Sequence, residues 1–300
     1  MDEIQYSKEE IAQLIKEKQL ILEELEKGAE YIRELSDIGL LQIEIGQYED
    51  AQDTFSECLH YFEGQKDRLG KASVYGIFGT LYFKKTEFQK AIEYYDKALV
   101  IYEELNQRNE RIMCLKGIGN CYLKLNEFNK ASEIFFECCE ISSANNDIYE
   151  FLDCIGQLVQ IYEGMEEWEI LKELYLKSLE AFKKLNNMRG MITSNFNLGI
   201  INSKQKKYEN ALVFFKEGTN IAIEANYGEF ILKGLTYVGE TLFYLGEIKC
   251  AKDEYIKALH VAKKMSAHNA ITQIQVVLNS FGLTDLNIEE ELKNYRNNKK

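Results

Sequence analysis

The chain has 300 residues, 46% hydrophobic and 28% charged, with a formal net charge of −13 and no proline. That length exceeds one ordinary core and suggests two domains or a repeat array, and the longest apolar runs are too short to span a bilayer. Apart from the tail "RNNKK" there is no cluster of basic residues to displace counterions from a phosphate backbone, so nucleic acid is disfavoured as a partner.

The first predicted element is a capping helix in residues 1–28. The stretch "MDEIQYSKEE" is acidic and lacks the plan of a secretory leader, which points to the cytoplasm. Ser7 and Glu10 have the spacing of a capping box, and Ile11, Leu14, Ile15, Ile21, Leu22 and Leu25 follow at helical intervals. In register this segment fills the second-helix slot of a unit that lacks its first helix.

From residue 29 to residue 266 the chain repeats itself every forty residues, six times and without an insertion. Gly39, Gly79, Gly119, Gly199 and Gly239 recur in one column, with Val159 in the remaining unit. An aromatic column follows (Tyr48, Phe88, Phe128, Trp168 and Tyr208, then Ile248), and after it a small one with Ala51, Ala91, Ala131, Ala211 and Ala251 around Leu171. A second aromatic column holds Phe55, Tyr95, Phe135, Tyr175, Phe215 and Tyr255. The last column is small again, with Cys58, Ala98, Cys138, Ser178, Gly218 and Ala258. Within a unit Ala91, Tyr95 and Ala98 fall on one helical face, as do Phe78, Leu81 and Tyr82 upstream, and the polar turn "KKTEF" separates them. Each unit is therefore predicted to be helix, turn, helix. The small columns let helices approach and the aromatic columns fill the wedge between units. Such a unit cannot bury its apolar face alone, so stacking is obligatory. Residues 267–300 supply a seventh first helix (Ile271, Ile274, Val277, Leu278) and a short polar closing helix in "TDLNIEEELKNYRNN".

This pattern resembles the tetratricopeptide repeat, over about residues 29–281. The stretch "DRLGKASVYGIFGTLYFKKTEFQKAIEYYDKALVIYEEL" carries the resemblance best. The common unit of that family has ~34 residues. Units of forty are similar to the arrays of Partner-of-Inscuteable-type G-protein modulators, kinesin light chains and Rap-type peptide receptors. The resemblance implies an all-α fold: a right-handed solenoid of antiparallel helix pairs, six full units plus capping helices. The family's usual proline after the second helix is absent, and longer helices offer one reason. With only short segments outside the repeats, the chain reads as a bare array.

Candidate chemistry is sparse. The seven cysteines include no C-x-x-C pair, and the three histidines lie outside the Cys114–Cys154 cluster, so neither a metal nor any other cofactor is expected. An odd cysteine count with no leader also argues against a disulfide framework. No G-x-S-x-G, P-loop or H-E-x-x-H motif occurs, and the chain reads as non-enzymatic. His60 and His260 share one repeat column and read as structural.

The remaining product of such an array is a concave groove lined by the first helices. Helical spacing selects Thr80, Lys84, Lys116, Asn120, Lys124, Gln157, Gln160, Phe196, Asn197, Ile200, Tyr237 and Phe243 as its peptide-binding residues. The same spacing adds Arg33, Asp37, Leu40, Glu44, Asp153, Glu163, Lys204, Lys233 and Glu240, which leaves the groove near neutral and puts the acidic excess outside. Asn120, Gln157, Gln160 and Asn197 offer donor and acceptor together, which suits a peptide main chain. In the forty-residue families groove asparagines hold ligands in this way, and the resemblance implies the same role here. Lys116 and Asn120 also resemble half of a carboxylate clamp. Gln157 and Thr193 stand where that clamp has asparagine and lysine, so capture of a free C-terminus is not favoured. Gly76, Gly117 and Gly156 face the groove in consecutive units, with close helix packing expected first and close approach of a ligand backbone second.

The expected function is a module that binds a protein or peptide segment of a partner in this groove. The alternatives are a Rap-type receptor for a small signal peptide and a homo-oligomeric scaffold.

Overall fold

A computed structural model describes residues 6–298, and these fold into fifteen helices. Helix α1 (Lys8–Glu24) precedes the pairs α2 (Ala29–Ile45) with α3 (Tyr48–Gly64), and α4 (Arg68–Lys84) with α5 (Phe88–Glu104). The pairs α6 (Arg108–Lys124) with α7 (Phe128–Ala144) and α8 (Ile148–Met165) with α9 (Trp168–Lys184) come next. The last full pairs are α10 (Met188–Lys204) with α11 (Tyr208–Glu224) and α12 (Gly228–Tyr244) with α13 (Ile248–Lys264), before α14 (His268–Ser280) and α15 (Asp285–Asn298). The architecture is an all-α tetratricopeptide-type solenoid in which consecutive helices pack on one another. It separates into two compact units, one up to Leu158 and one from Val159 onward. Residues 1–5 and 299–300 of the expected caps lie outside the described residues. Among the described residues no helix is long and apolar enough to cross a membrane.

The glycine column and the second aromatic column interlock. A Cβ built on Gly39, Gly79 or Gly119 would stand 2.6, 2.5 or 2.9 Å from the ring of Phe55, Tyr95 or Phe135, sixteen residues on. In the second unit Gly199 and Gly239 meet Phe215 and Tyr255 in the same way. Each glycine thus removes the one atom that would keep the paired helix away, and the ring fills the space. Every member of the first small column, from Ala51 to Ala251, is fully buried. Each fully buried aromatic or leucine in these columns contributes roughly 1.5–3 kcal/mol.

The backbone repeats at half the sequence period. Gly46 and Gly246, and ten other residues between Lys66 and Ser266, hold a positive φ at every twentieth position. At each site the chain closes a left-handed C-cap. The Thr86 N–H donates to the Phe83 carbonyl at 3.0 Å and the Glu87 N–H to the Tyr82 carbonyl at 2.9 Å, which is the Schellman arrangement. Asparagine serves at 106, 126, 146, 186 and 226, where its side chain tolerates this conformation. These caps end the helices, so no proline is needed. The helices are seventeen residues long apart from α8 with eighteen and the terminal α14 and α15, and from α3 to α14 the turns have three residues except for the two between α8 and α9.

Helices also pack at both ends of the described residues. The Ser7–Glu10 capping box is present, with the Ser7 N–H donating to Glu10 Oε2 at 2.7 Å. Ile11 and Ile15 of α1 bury against Ile38, and Lys18 bridges Glu34 and Asp37 at 2.8 and 2.9 Å. At the other end Gly282, with φ +84°, ends α14 early, and α15 turns back to bury Ile288 and Leu292 beside Ile274 and Leu278.

Candidate functional site

In the first unit the predicted face is carried by α4, α6 and the N-terminal part of α8. Helical periodicity brings Thr80, Asn120 and Gln157 to equivalent or neighbouring register positions on these first helices. Thr80, Lys84 and Lys124 are exposed, and Asn120 and Gln157 are half-buried. The Thr80 hydroxyl lies 3.1 Å from the Tyr95 hydroxyl, tying the face to the aromatic core beneath.

The three glycines of this face separate into two kinds. Gly117 is a packing glycine, since its Cβ would stand 2.5 Å from the ring of Tyr95, which therefore sits wedged between Gly79 and Gly117. Gly76 and Gly156 have no atom within 4 Å of the Cβ position. The packing role expected of all three holds for Gly117 alone.

Lys116 is not available as a ligand-binding cation. Its Nζ pairs with Glu150 at 2.8 Å and Asp153 at 2.6 Å. Burial works against its charge, but Asp153 and Glu150 outweigh it and hold the ammonium above its ordinary range. The half-clamp read from Lys116 and Asn120 is thus consumed internally, and the Thr193 hydroxyl is turned back to the Arg189 carbonyl at 2.9 Å. Two further groove charges are neutralised locally, Asp37 by Lys18 and Arg33 by Glu30 and Glu34.

In the second unit the predicted residues are less uniform. Gln160 is exposed, and Asn197 and Ile200 are half-buried. Phe196 is a correction: at 2% exposure it belongs to the core, with its ring against Phe215, Phe230 and Tyr237. Gly218 explains this, because a Cβ there would stand 2.7 Å from that ring. Tyr237 stacks on Phe215 with centroids 4.7 Å apart and forms wall rather than surface. Phe243 is exposed and leans on Phe281.

The second unit also contains a cleft of about 260 Å³, lined by Glu163, Trp168, Leu171, Tyr175, Asn197, Ile200, Ile201 and Lys204. It arises where the repeat columns break. Position 163 corresponds to Ile43, Phe83, Leu123 and Phe243 in four of the other pairs and to Ser203 in the fifth, and Phe83, for instance, covers Phe88 with ring centroids 5.5 Å apart. Glu163 cannot cover Trp168 in that way, and the space stays open. The Tyr175 hydroxyl donates to Glu163 Oε1 at 2.9 Å. Burial, with the Glu163 carboxylate beside it, holds that phenol protonated far above its ordinary range. Lys204 Nζ rests over the Trp168 ring at 4.3 Å. The sequence carried the signal for this cleft as the one charged residue in a column that is apolar in four of its six members.

All seven cysteines are thiols, and six are buried. Cys58 and Cys138 fill the small column, where burial pushes the Cys58 thiol above its ordinary value. Among the described residues no three metal-ligating side chains come together.

Residues 70–144 match the family model for the tetratricopeptide repeat. A comparison with curated protein sequences gives no match. Among solved structures, the tetratricopeptide-sensor ATPase with numerous domains from Pyrococcus horikoshii aligns with TM-score 0.52 and 16% identity, over 95% of this chain and 44% of that one. Putative kinesin light chain repeats from Podospora anserina align with TM-score 0.51 and 12% identity, over 67% and 100%. The apo form of RapI aligns with TM-score 0.50 and 16% identity, over 88% and 99%. At these identities the likeness is one of fold.

Proposed function

We propose that this chain, a tetratricopeptide-repeat protein, is a non-enzymatic interaction module that holds a peptide segment of a partner protein along its first helices. The observation that carries this reading is the pair of open glycines, Gly76 on α4 and Gly156 on α8. A glycine inside a helix costs roughly 0.5–1 kcal/mol against alanine. Gly79 and Gly117 recover that cost by admitting Tyr95, whereas no described group uses the space at Gly76 or Gly156. Both lie on the face that carries Thr80, Asn120 and Gln157. A peptide main chain lying close to α4 and α8 would use the missing side chains, and the amides would serve its N–H and C=O groups.

In this reading Asn120, Gln157, Thr80, Lys84 and Lys124 are the contact residues of the first unit. Considered by itself, the second unit offers Gln160, Asn197, Ile200 and Phe243. The pairing of Lys116 with Glu150 and Asp153 favours an internal segment over a free C-terminus. The test is hydrogen–deuterium exchange with and without a peptide selected from a random displayed library. Protection should fall in α4, α6 and α8. Protection confined to the second helices α5 and α7 would place binding on the other face and end the proposal.

A further inference from the structure

We infer that the Glu163 cleft is a subsite for one basic side chain, an arginine or a lysine, of the peptide held by the second unit. This deepens the groove reading and rests on it.

Three features converge. The first is a fixed carboxylate. The Tyr175 hydroxyl donates to Glu163 Oε1 at 2.9 Å, and Tyr175 is itself buried. An acceptor held this way loses little freedom when a cation arrives.

The second feature is the field. Glu163 stands in the last turn of α8, beside carbonyls that already carry partial negative charge, and among the described residues no ion pair reaches it. Lys204 stands in the last turn of α10, where a cation is favoured, and its ammonium rests over Trp168 at 4.3 Å. Of the two charges at the cleft, the positive one rests on an aromatic face, while the negative one has a hydrogen bond from Tyr175 but, among the described residues, no cation partner. An incoming cation would find in Glu163 a carboxylate without a cation partner.

The third feature is shape. Leu171, Ile200, Ile201 and Trp168 make apolar walls around a space of about 260 Å³, room for one long side chain. Arginine and lysine pair an apolar stem with a charged tip, which matches apolar walls and a carboxylate at the mouth. Ile43, Phe83, Leu123 and Phe243 occupy the position of Glu163 in four other pairs and offer a guest cation no carboxylate, and Ser203 in the fifth offers none either.

Trp168 is the only tryptophan in the chain and lines the cleft, so its emission reports occupancy. The experiment titrates N-acetyl-L-arginine methylamide into the full chain and into Glu163→Gln and Glu163→Phe. N-acetyl-L-norleucine methylamide and N-acetyl-L-glutamate methylamide serve as comparison ligands. The capped arginine should give a saturable change that weakens about tenfold or more in Glu163→Gln, in keeping with loss of a charge-assisted hydrogen bond. It should vanish in Glu163→Phe, whose ring closes the cleft and raises the melting midpoint. The norleucine derivative should bind at least about tenfold more weakly than the capped arginine, since it keeps the stem and lacks the charge. No saturable response, an equal response in Glu163→Gln, or tighter binding of the glutamate derivative would overturn the assignment. The last outcome would make Lys204 the anchor. If capped arginine binds as expected while a selected peptide is indifferent to Asn120→Ala/Gln157→Ala, the groove reading fails and the cleft stands. The opposite pair of results removes the cleft alone.

Discussion

Four glycines of the first unit should respond to the same substitution with opposite signs. Gly76→Ala and Gly156→Ala each add a Cβ that meets nothing within 4 Å. The only change is conformational, so each should stabilise the fold by about 0.5–1 kcal/mol, the ordinary helix-interior difference between the two residues. Gly79→Ala and Gly117→Ala gain the same propensity but place a Cβ 2.5 Å from the Tyr95 ring. To regain ordinary contact at 3.4 Å that ring must retreat by 0.9 Å, the difference of the two distances. It cannot do so freely, because the other glycine bounds it on the far side. Overpacking of this kind costs roughly 1–3 kcal/mol, which offsets the propensity gain and leaves these two variants unchanged to about 2 kcal/mol less stable. The assay is a urea titration of the four single variants, with midpoints compared at constant slope. The same open glycines are assigned to ligand approach, so Gly156→Ala should weaken peptide binding while it raises stability. Destabilisation by Gly76→Ala and Gly156→Ala matching that of Gly79→Ala would refute both the packing distinction and the functional reading built on it.

Asn202 on α10 is 1% exposed, donates to the Leu198 carbonyl at 2.7 Å and leaves its own Oδ1 buried without a partner. Leu242 occupies the same column forty residues later, so Asn202→Leu should stabilise by about 1 kcal/mol in a denaturant titration. Thr86 is a β-branched residue held at φ 62°, and Thr86→Gly should stabilise by roughly 1 kcal/mol, whereas Asn106→Gly should gain only a few tenths. Glu10 is held below its ordinary 4.5 by the Ser7 backbone N–H and hydroxyl. A depressed carboxyl stabilises the fold above its unfolded value, and that contribution fades as pH falls through the folded one. Hydrogen exchange in α1 should therefore quicken on acidification below the ordinary carboxylate range, and Glu10→Gln should abolish that dependence.

The forty-residue columns were legible because each joins one residue type to one packing task. Gly79 and Tyr95, or Gly199 and Phe215, keep their spacing through every unit that has both. The twenty-residue backbone period was hidden because the two helices of a pair bury different side chains, so side-chain similarity recurs only at the longer interval. Its trace was the series Asn106, Asn126, Asn146, broken at 166 and 206 by Glu166 and Lys206, which accept the left-handed conformation without advertising it. Phe196 was misplaced because it lies one residue, about 100° of helical turn, from the surface residue Asn197. Its burial depends on Gly218, a residue of another helix. Lys116 looked free for a similar reason. Periodicity places a side chain on a face of its own helix, and its partners Glu150 and Asp153 stand on the next first helix, at a relative rotation that one helix's pattern does not contain.

The central claim is that a peptide is held by the amide-bearing face of the first helices and not by the acidic second-helix face. Its most direct test is a calorimetric titration of one library-selected peptide into three proteins. These are the unaltered chain, Asn120→Ala/Gln157→Ala, and Glu93→Lys/Glu133→Lys, whose glutamates are exposed on α5 and α7. If the amides pair with the peptide backbone, their loss should weaken binding by about tenfold or more at an unchanged melting midpoint, since each unpaired group costs roughly 1–3 kcal/mol. The charge-reversed protein should bind as the unaltered one does. Undiminished affinity in the double alanine protein, with affinity lost on charge reversal, would contradict the account.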